Sequence, residues 1–201
     1  MTSTPPAGFW AQATADPDRP VLTAPDGEHW TAGRLHAAAN RLVHGLRAAG
    51  LERGDAFAVV LPNGVEFLTA YLAASQAGFY LVPVNHHFVG PEIGWIVADS
   101  GSKVLIAHER FAEAARHAAD EAGLPATHRY AVGEVEGFTP YARLIDGQPE
   151  SAPADRELGW VMNYTSGTTG RPRGIRRPLP GKPPEEAYLG GFLGIFGIKP
   201  Y

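Results

Sequence analysis

The 201-residue sequence contains no cysteine. That single absence removes disulfides, thiolate nucleophiles and cysteine-ligated zinc or iron–sulfur centres, and it fits a reducing compartment. Net positive charge is absent too: 17 Lys and Arg against 21 Asp and Glu leave a formal charge of −4, so no overall basic field is available to hold nucleic acid or an anionic membrane. Any anion must be bound locally. No apolar run is long enough for a membrane span; the longest candidate, Tyr188 to Ile198, is about half the ~20 residues a bilayer requires. Met1 to Trp10 carries neither a basic residue nor an apolar run, so neither a secretory signal nor a transit peptide is expected, and the cytoplasm is the expected location.

What is present is the composition of a globular domain, 44% hydrophobic and 19% charged, enough to bury a substantial core. Glycine (24) and proline (18) are abundant but scattered without period, which assigns them to turns rather than to collagen-like or low-complexity sequence. No internal repeat is visible.

Along the chain, apolar runs alternate with helical patterns. Thr31 is the expected N-cap of a helix over 32–49, with Leu35, Ala39, Leu42, Val43 and Leu46 on one face, Arg34, Arg41 and Arg47 elsewhere, and Gly50 suited to a left-handed turn after it. Strands are expected at 56–61, 79–84, 103–107 and, more weakly, 129–132. Helices are expected at 65–77, with Phe67, Leu68, Tyr71 and Leu72 on one side, at 91–98 and at 110–122. This order predicts an α/β fold with a mostly parallel sheet covered by helices on both faces. Residues 133–155 read as a surface connection with one short apolar patch, 138–145. A further strand, 159–164, runs into the most informative segment of the chain.

That segment is Thr165, Ser166, Gly167, Thr168, Thr169 and Gly170, followed by Arg171, Pro172, Arg173 and Gly174. Glycines let successive backbone N–H groups converge on one point, hydroxyls add neutral donors, and Arg173 adds charge, which together make a phosphate cradle. The spacing is not that of a Walker loop, and Pro172, Pro178 and Pro180 argue against a helix directly after it, so binding must rest on loop amides, hydroxyls and guanidinium groups. The plain alternative is a flexible Ser/Thr/Gly linker.

The segment resembles the Thr-Ser-Gly-Thr-Thr-Gly-x-Pro-Lys-Gly phosphate loop of the adenylate-forming, or AMP-binding, superfamily of acyl-CoA synthetases, luciferases and peptide-synthetase adenylation domains. Eight specified positions match, a coincidence of roughly 10⁻⁹ per start position at residue frequencies near 7%. The run 16–21, the helix containing Asn40 to Leu42, the segments LPNGVEFLTAY (61–71) and AGFYLVPVN (77–85), and residues 99–106 also resemble successive blocks of that superfamily, in its order.

The resemblance, covering about 16–175, implies a layered, Rossmann-like fold and the N-terminal portion of the family's large domain. It implies a fatty-acid–CoA ligase: ATP, with Mg²⁺, activates a carboxylate to an acyl-adenylate, releasing pyrophosphate, and coenzyme A then takes the acyl group. Thr165, Ser166, Gly167, Thr168, Thr169 and Gly170 would bind the phosphates and Arg173 would be the catalytic cation. The family usually carries lysine at that position; arginine binds phosphate through its planar fork, so binding is expected to survive, with rate the property most exposed to the change. The family's adenine and ribose grips, magnesium glutamate, acyl pocket and C-terminal lid lysine follow the matched region. The chain is therefore expected to be part of a longer ligase, inactive alone and without a metal site of its own. An amino-acid-activating domain and a non-catalytic nucleotide-binding fragment are the alternatives.

Three smaller features accompany this segment. His86 and His87 follow a strand end without an acidic partner at ligand spacing, which favours a loop over a metal site. His36 and His44 are eight residues apart on one helix, too far to share a metal, and read as surface or half-buried. The basic cluster Arg171, Arg173, Arg176, Arg177 and Lys182 lacks interleaved aromatics, so ATP rather than nucleic acid is its expected anion.

Overall fold

The computed structural model describes residues 8–165 and 172–185. The chain opens with a short helix, α1 (Phe9–Ala15), and an antiparallel pair, β1 (Pro20–Thr23) and β2 (His29–Thr31). None of these was legible in the sequence. Then follow α2 (Ala32–Ala48), β3 (Ala56–Val60), α3 (Val65–Ala77), β4 (Tyr80–Pro83), α4 (Gly90–Asp99), β5 (Ser102–His108), α5 (Ala112–Glu121) and β6 (Arg129–Val132). The strands at 56–61, 79–84, 103–107 and 129–132 and the helices at 32–49, 65–77 and 91–98 are thus present to within one or two residues. The helix expected from residue 110 instead begins with a 3-10 turn, Glu109–Phe111.

Beyond β6 the chain is more ordered than its composition implies. Residues 133–155 include a two-residue strand, β7 (Thr139–Pro140), and a one-turn helix, α6 (Tyr141–Ile145), whose Leu144 is buried. The strand expected over 159–164 divides in two, β8 (Trp160–Val161) and β9 (Asn163–Thr165), and β10 (Arg173–Ile175) is the last strand of the described residues.

Six strands form one parallel sheet in the order β7-β6-β5-β3-β4-β8. β3 lies inside it with all five residues buried. Because side chains alternate across a strand, Phe57 and Val59 face one layer and Ala56, Ala58 and Val60 the other. The first layer packs Phe57, Leu81, Val104 and Ile106 against Leu42 and Leu46 of α2, Ala73 of α3 and Leu144 of α6; Phe57 meets Phe79 edge-on at 6.3 Å. The second packs Val60, Val82, Leu105 and Ala107 against Ile93 and Ile96 of α4 and Ala115 and Ala118 of α5. Each fully buried Leu, Ile, Val or Phe contributes roughly 1.5–3 kcal/mol.

The expected face of α3 needs correction. Its buried side is made mainly of small residues, with Thr69, Ala70, Ala73, Ala74 and Ala77 beside Leu72, while Phe67 and Leu68 are half-buried and Tyr71 is 39% exposed. α3 packs against both α2 and the strands β4 and β8, and small side chains allow both close approaches. The expected details of α2 are present: the Thr31 side chain accepts from Arg34 N at 3.3 Å, and Gly50 has φ +87°. Its arginines have partners on other segments. Arg34 pairs with Glu28, Arg41 with Glu150, and Arg47 with Asp155 at 2.9 Å, so the last two fasten residues 150–155 along the helix.

Candidate functional site

β9 leaves the main sheet beside β4 and pairs with β10 as a separate antiparallel ribbon, in which Arg173 lies opposite Thr165, Gly174 opposite Tyr164 and Ile175 opposite Asn163. The hydroxyl-, glycine- and arginine-rich segment therefore has a defined stem. Thr165 and Arg173, the two expected binding residues that are described, face each other across its last pair, and both are exposed. None of the ion pairs among the described residues uses Arg173. Ser166, Gly167, Thr168, Thr169 and Gly170 lie outside the described residues, as do Arg171 and the apolar run 188–198.

The stem is fixed by residues that sequence reasoning did not single out. Tyr164 OH donates to Asp99 Oδ2 at 2.6 Å, across 65 positions of sequence. Burial, and then the neighbouring Asp99 carboxylate, hold the Tyr164 phenol well above its ordinary value, so it remains a donor at neutral pH. Trp95 Nε1 donates to Pro172 O at 3.4 Å. A Cβ on Gly174 would lie 2.5 Å from Met162 Cε and 2.8 Å from Tyr164 Cζ, so only glycine lets these side chains close over the ribbon.

After the ribbon, Arg176 stacks over the Tyr80 ring at 4.3 Å and donates to Gly54 O, while Tyr80 OH donates to Arg177 O at 2.6 Å. Arg177 sits 5.9 Å from the Trp160 ring. These two arginines lean on aromatic side chains of the sheet, and Lys182 lies at a backbone contact in which Leu158 N donates to its carbonyl at 2.8 Å. Of the described members of the basic cluster, Arg173 is the one at the mouth of the stem.

One signal for the missed residues was available. Asp99 ends α4, where a negative charge opposes the helix dipole, so an acid there needs a partner.

A buried polar chain ties the exit segment to the helices. Asn40 Nδ2 donates to Glu150 O at 2.6 Å, Gln76 Nε2 to Asn40 Oδ1 at 2.9 Å, Arg156 Nε to Gln76 Oε1 at 3.2 Å, and Arg156 pairs with Glu185. Gln76 and Asn40 are almost wholly buried. Arg156 also lies over the Trp10 ring at 4.8 Å, and beside it the half-buried His36 is held below its ordinary value, by burial first and by the Arg156 charge second.

The sheet order reverses at β3, because β4 is added on one side and β5 on the other; the carboxyl ends of β3 and β5 border the kind of crevice where open α/β sheets bind ligands. Two open grooves flank it. One, about 560 Å³, is bordered by Val65 and Glu66 of α3, Val132, Glu134 and Tyr141. Burial, and then the Glu66 charge, raise the Tyr141 phenol far above its ordinary value. The other, about 540 Å³, is bordered by His86, Phe88, Arg110, Phe111 and His117. His86 stacks on Phe111 at 4.7 Å and lies 4.3 Å from His87, an aromatic rather than a ligating arrangement. Among the described residues no group of three His, Asp or Glu is placed to hold a metal, and no helix is long and apolar enough to cross a membrane.

Comparison with known proteins gives a family match over residues 9–177, described as AMP-binding enzyme. A long-chain-fatty-acid–CoA ligase of Mycobacterium tuberculosis is 30% identical over 165 residues, covering 82% of this chain and 33% of the relative. A feruloyl-CoA synthase of an Amycolatopsis species is 35% identical over 150 residues, covering 74% of this chain and 28% of the relative. The solved structure of a Mycobacterium tuberculosis fatty acyl CoA synthetase superposes with a TM-score of 0.70 at 28% identity, covering 83% of this chain and 33% of that one. The chain thus spans about a third of the length of these two curated relatives.

Proposed function

The chain belongs to the AMP-binding enzyme family, and from that premise we propose that it supplies the phosphate-binding part of a ligase that joins a carboxylic acid, in particular a fatty acid, to coenzyme A at the expense of ATP. The observation that carries this reading is the exposed Arg173 guanidinium opposite the Thr165 hydroxyl at the mouth of the β9–β10 stem. The fatty-acid assignment draws on the similarity to the long-chain-fatty-acid–CoA ligase. Such an enzyme would work in the cytoplasm, where ATP and coenzyme A are at hand.

In the first step a substrate carboxylate oxygen bonds to the α-phosphorus of ATP while the bond to the bridging oxygen breaks, giving acyl-adenylate and pyrophosphate. In the second, the thiol sulfur of coenzyme A bonds to the acyl carbon, AMP departs and the thiol proton is lost. The described residues serve the first step. Arg173 would pair with the β- and γ-phosphates and offset the negative charge that accumulates on departing pyrophosphate, while Thr165 adds a neutral donor. Ser166, Gly167, Thr168, Thr169 and Gly170 complete the cradle in this proposal. The donor set at the stem fits an anion, and Mg²⁺ would enter bound to the ATP phosphates.

Pyrophosphate exchange by the full-length protein, run with a panel of fatty, aryl and amino acids, tests the reading. Exchange that depends on a fatty acid, followed by thioester formation with coenzyme A, is the expected result. Exchange with amino acids alone would move the substrate to a different class, and no exchange with any acid would overturn the ligase.

A further inference from the structure

The two strands of the stem have an attachment that the family reading does not require. The ribbon belongs to its own two-stranded sheet, so no hydrogen-bond ladder of the main sheet fixes it. Its first side chain contact with the helical layer is Tyr164 OH on Asp99 Oδ2, at 2.6 Å from the last residue of α4. One turn earlier on the same helix, Trp95 Nε1 reaches Pro172 O, the backbone immediately before β10. Asp99 and Trp95 are four residues apart and so lie on one face of the helix. One rigid element thus grips both strands, one residue before Thr165 on the way in and one residue before Arg173 on the way out.

We infer that α4 is a positioning element for phosphate binding, with Asp99 and Trp95 holding the stem so that Thr165 and Arg173 meet the nucleotide in a fixed register. The inference rests on the proposed ligase reading for its kinetic readout but not for its binding readout.

The Tyr164–Asp99 bond suits the task on three grounds. It is short, and its acceptor is a carboxylate oxygen, the stronger class of acceptor. It joins a strand to a helix and is shorter than the Trp95–Pro172 bond made from the same helix, at 2.6 Å against 3.4 Å. Gly174 opposite Tyr164 leaves room for the ring, so bond and glycine form one unit. α4 in turn is anchored in the second core layer through Ile93, Ile96 and Val97, all essentially without exposure. A stem held only by its own three pairs would lack this reference.

The test uses Tyr164→Phe, which keeps the ring and removes the hydroxyl, and Asp99→Asn, which keeps an acceptor and removes the charge. In the full-length enzyme, Tyr164→Phe is expected to raise the KM for MgATP in pyrophosphate exchange roughly tenfold, with Asp99→Asn intermediate. Thioester formation from supplied acyl-adenylate, which needs no polyphosphate, is expected to keep its wild-type rate in both.

If both half-reactions fall together in step with a lowered Tm, the bond is structural only and the inference is overturned; unchanged KM in folded variants overturns it as well. If wild type exchanges pyrophosphate with no acid, the ligase reading fails by itself, and calorimetric titration of wild type and Tyr164→Phe with inorganic tripolyphosphate decides the positioning role. Weaker binding by the variant supports it and equal binding removes it. If Tyr164→Phe does not fold, Asp99→Asn, at an exposed position, reads the same bond from its other end.

Discussion

Arg173 and Gly174 are neighbours with opposite kinds of necessity. In the proposed ligase the arginine would be needed for charge: replacing it with alanine is expected to lower kcat/KM for adenylation about 10²-fold, whereas Arg173→Lys, which keeps a cation, should stay within about tenfold, both read by pyrophosphate exchange. The glycine is needed for space. Gly174→Ala puts a methyl 2.5 Å from Met162 Cε, which can swing away, and 2.8 Å from Tyr164 Cζ, which can move only by leaving Asp99. Urea unfolding should show a loss of about 1–3 kcal/mol, and binding of tripolyphosphate should weaken with it. The loop residues stand out in the sequence as candidates because glycine, hydroxyl and arginine carry their chemistry in their identity, and of them Thr165 and Arg173 are described. Tyr164, Asp99 and Trp95 do not stand out, since a partner 65 positions away leaves no local pattern; the one trace was an acid at a helix end where the dipole disfavours it.

Between elements, a few polar contacts decide how helices and connections meet. Gln76 of α3 bridges Asn40 of α2 and Arg156 of the segment leading to β8. Gln76→Leu would preserve bulk while leaving Asn40 Oδ1 and Arg156 Nε without the partner that Gln76 supplies, and is expected to cost about 2 kcal/mol of stability in chemical denaturation. Exposed Thr23 is a control position that should change little. The strands of the sheet core were legible because burial on both faces turns a parallel strand into an apolar run. The faces of α3 do not follow side-chain size, because a helix that packs closely on both a sheet and a second helix turns its small residues inward. α1, the β1–β2 pair, β7 and α6 escaped because each is a few residues long and gains its place from contacts elsewhere, Leu144 of α6 against the α2 face among them.

At the scale of the whole molecule, stability is bounded on both sides of neutrality by groups that burial keeps uncharged. His36 has a folded value below the ordinary 6.5, so the unfolded chain takes up its proton first. Its contribution is complete above about pH 6.5 and is lost as pH falls towards the lower folded value. Tyr141 has the opposite displacement. The unfolded chain loses that proton near the ordinary tyrosine value of 10, so stability should decline above it. Thermal unfolding followed from pH 5 to pH 11 is expected to give a plateau between these limits, and His36→Asn should flatten the acid side. The strand order has a further consequence, measured in time. β4 is complete at Pro83, yet its outer neighbour β8 begins only at Trp160. At about 5–20 residues per second of synthesis, the flank of β4 waits roughly 4–15 s for a partner. The stem of β9 and β10 comes next in the chain, so during translation the facing pair Thr165 and Arg173 is made only after the last strand of the sheet has arrived to close that flank.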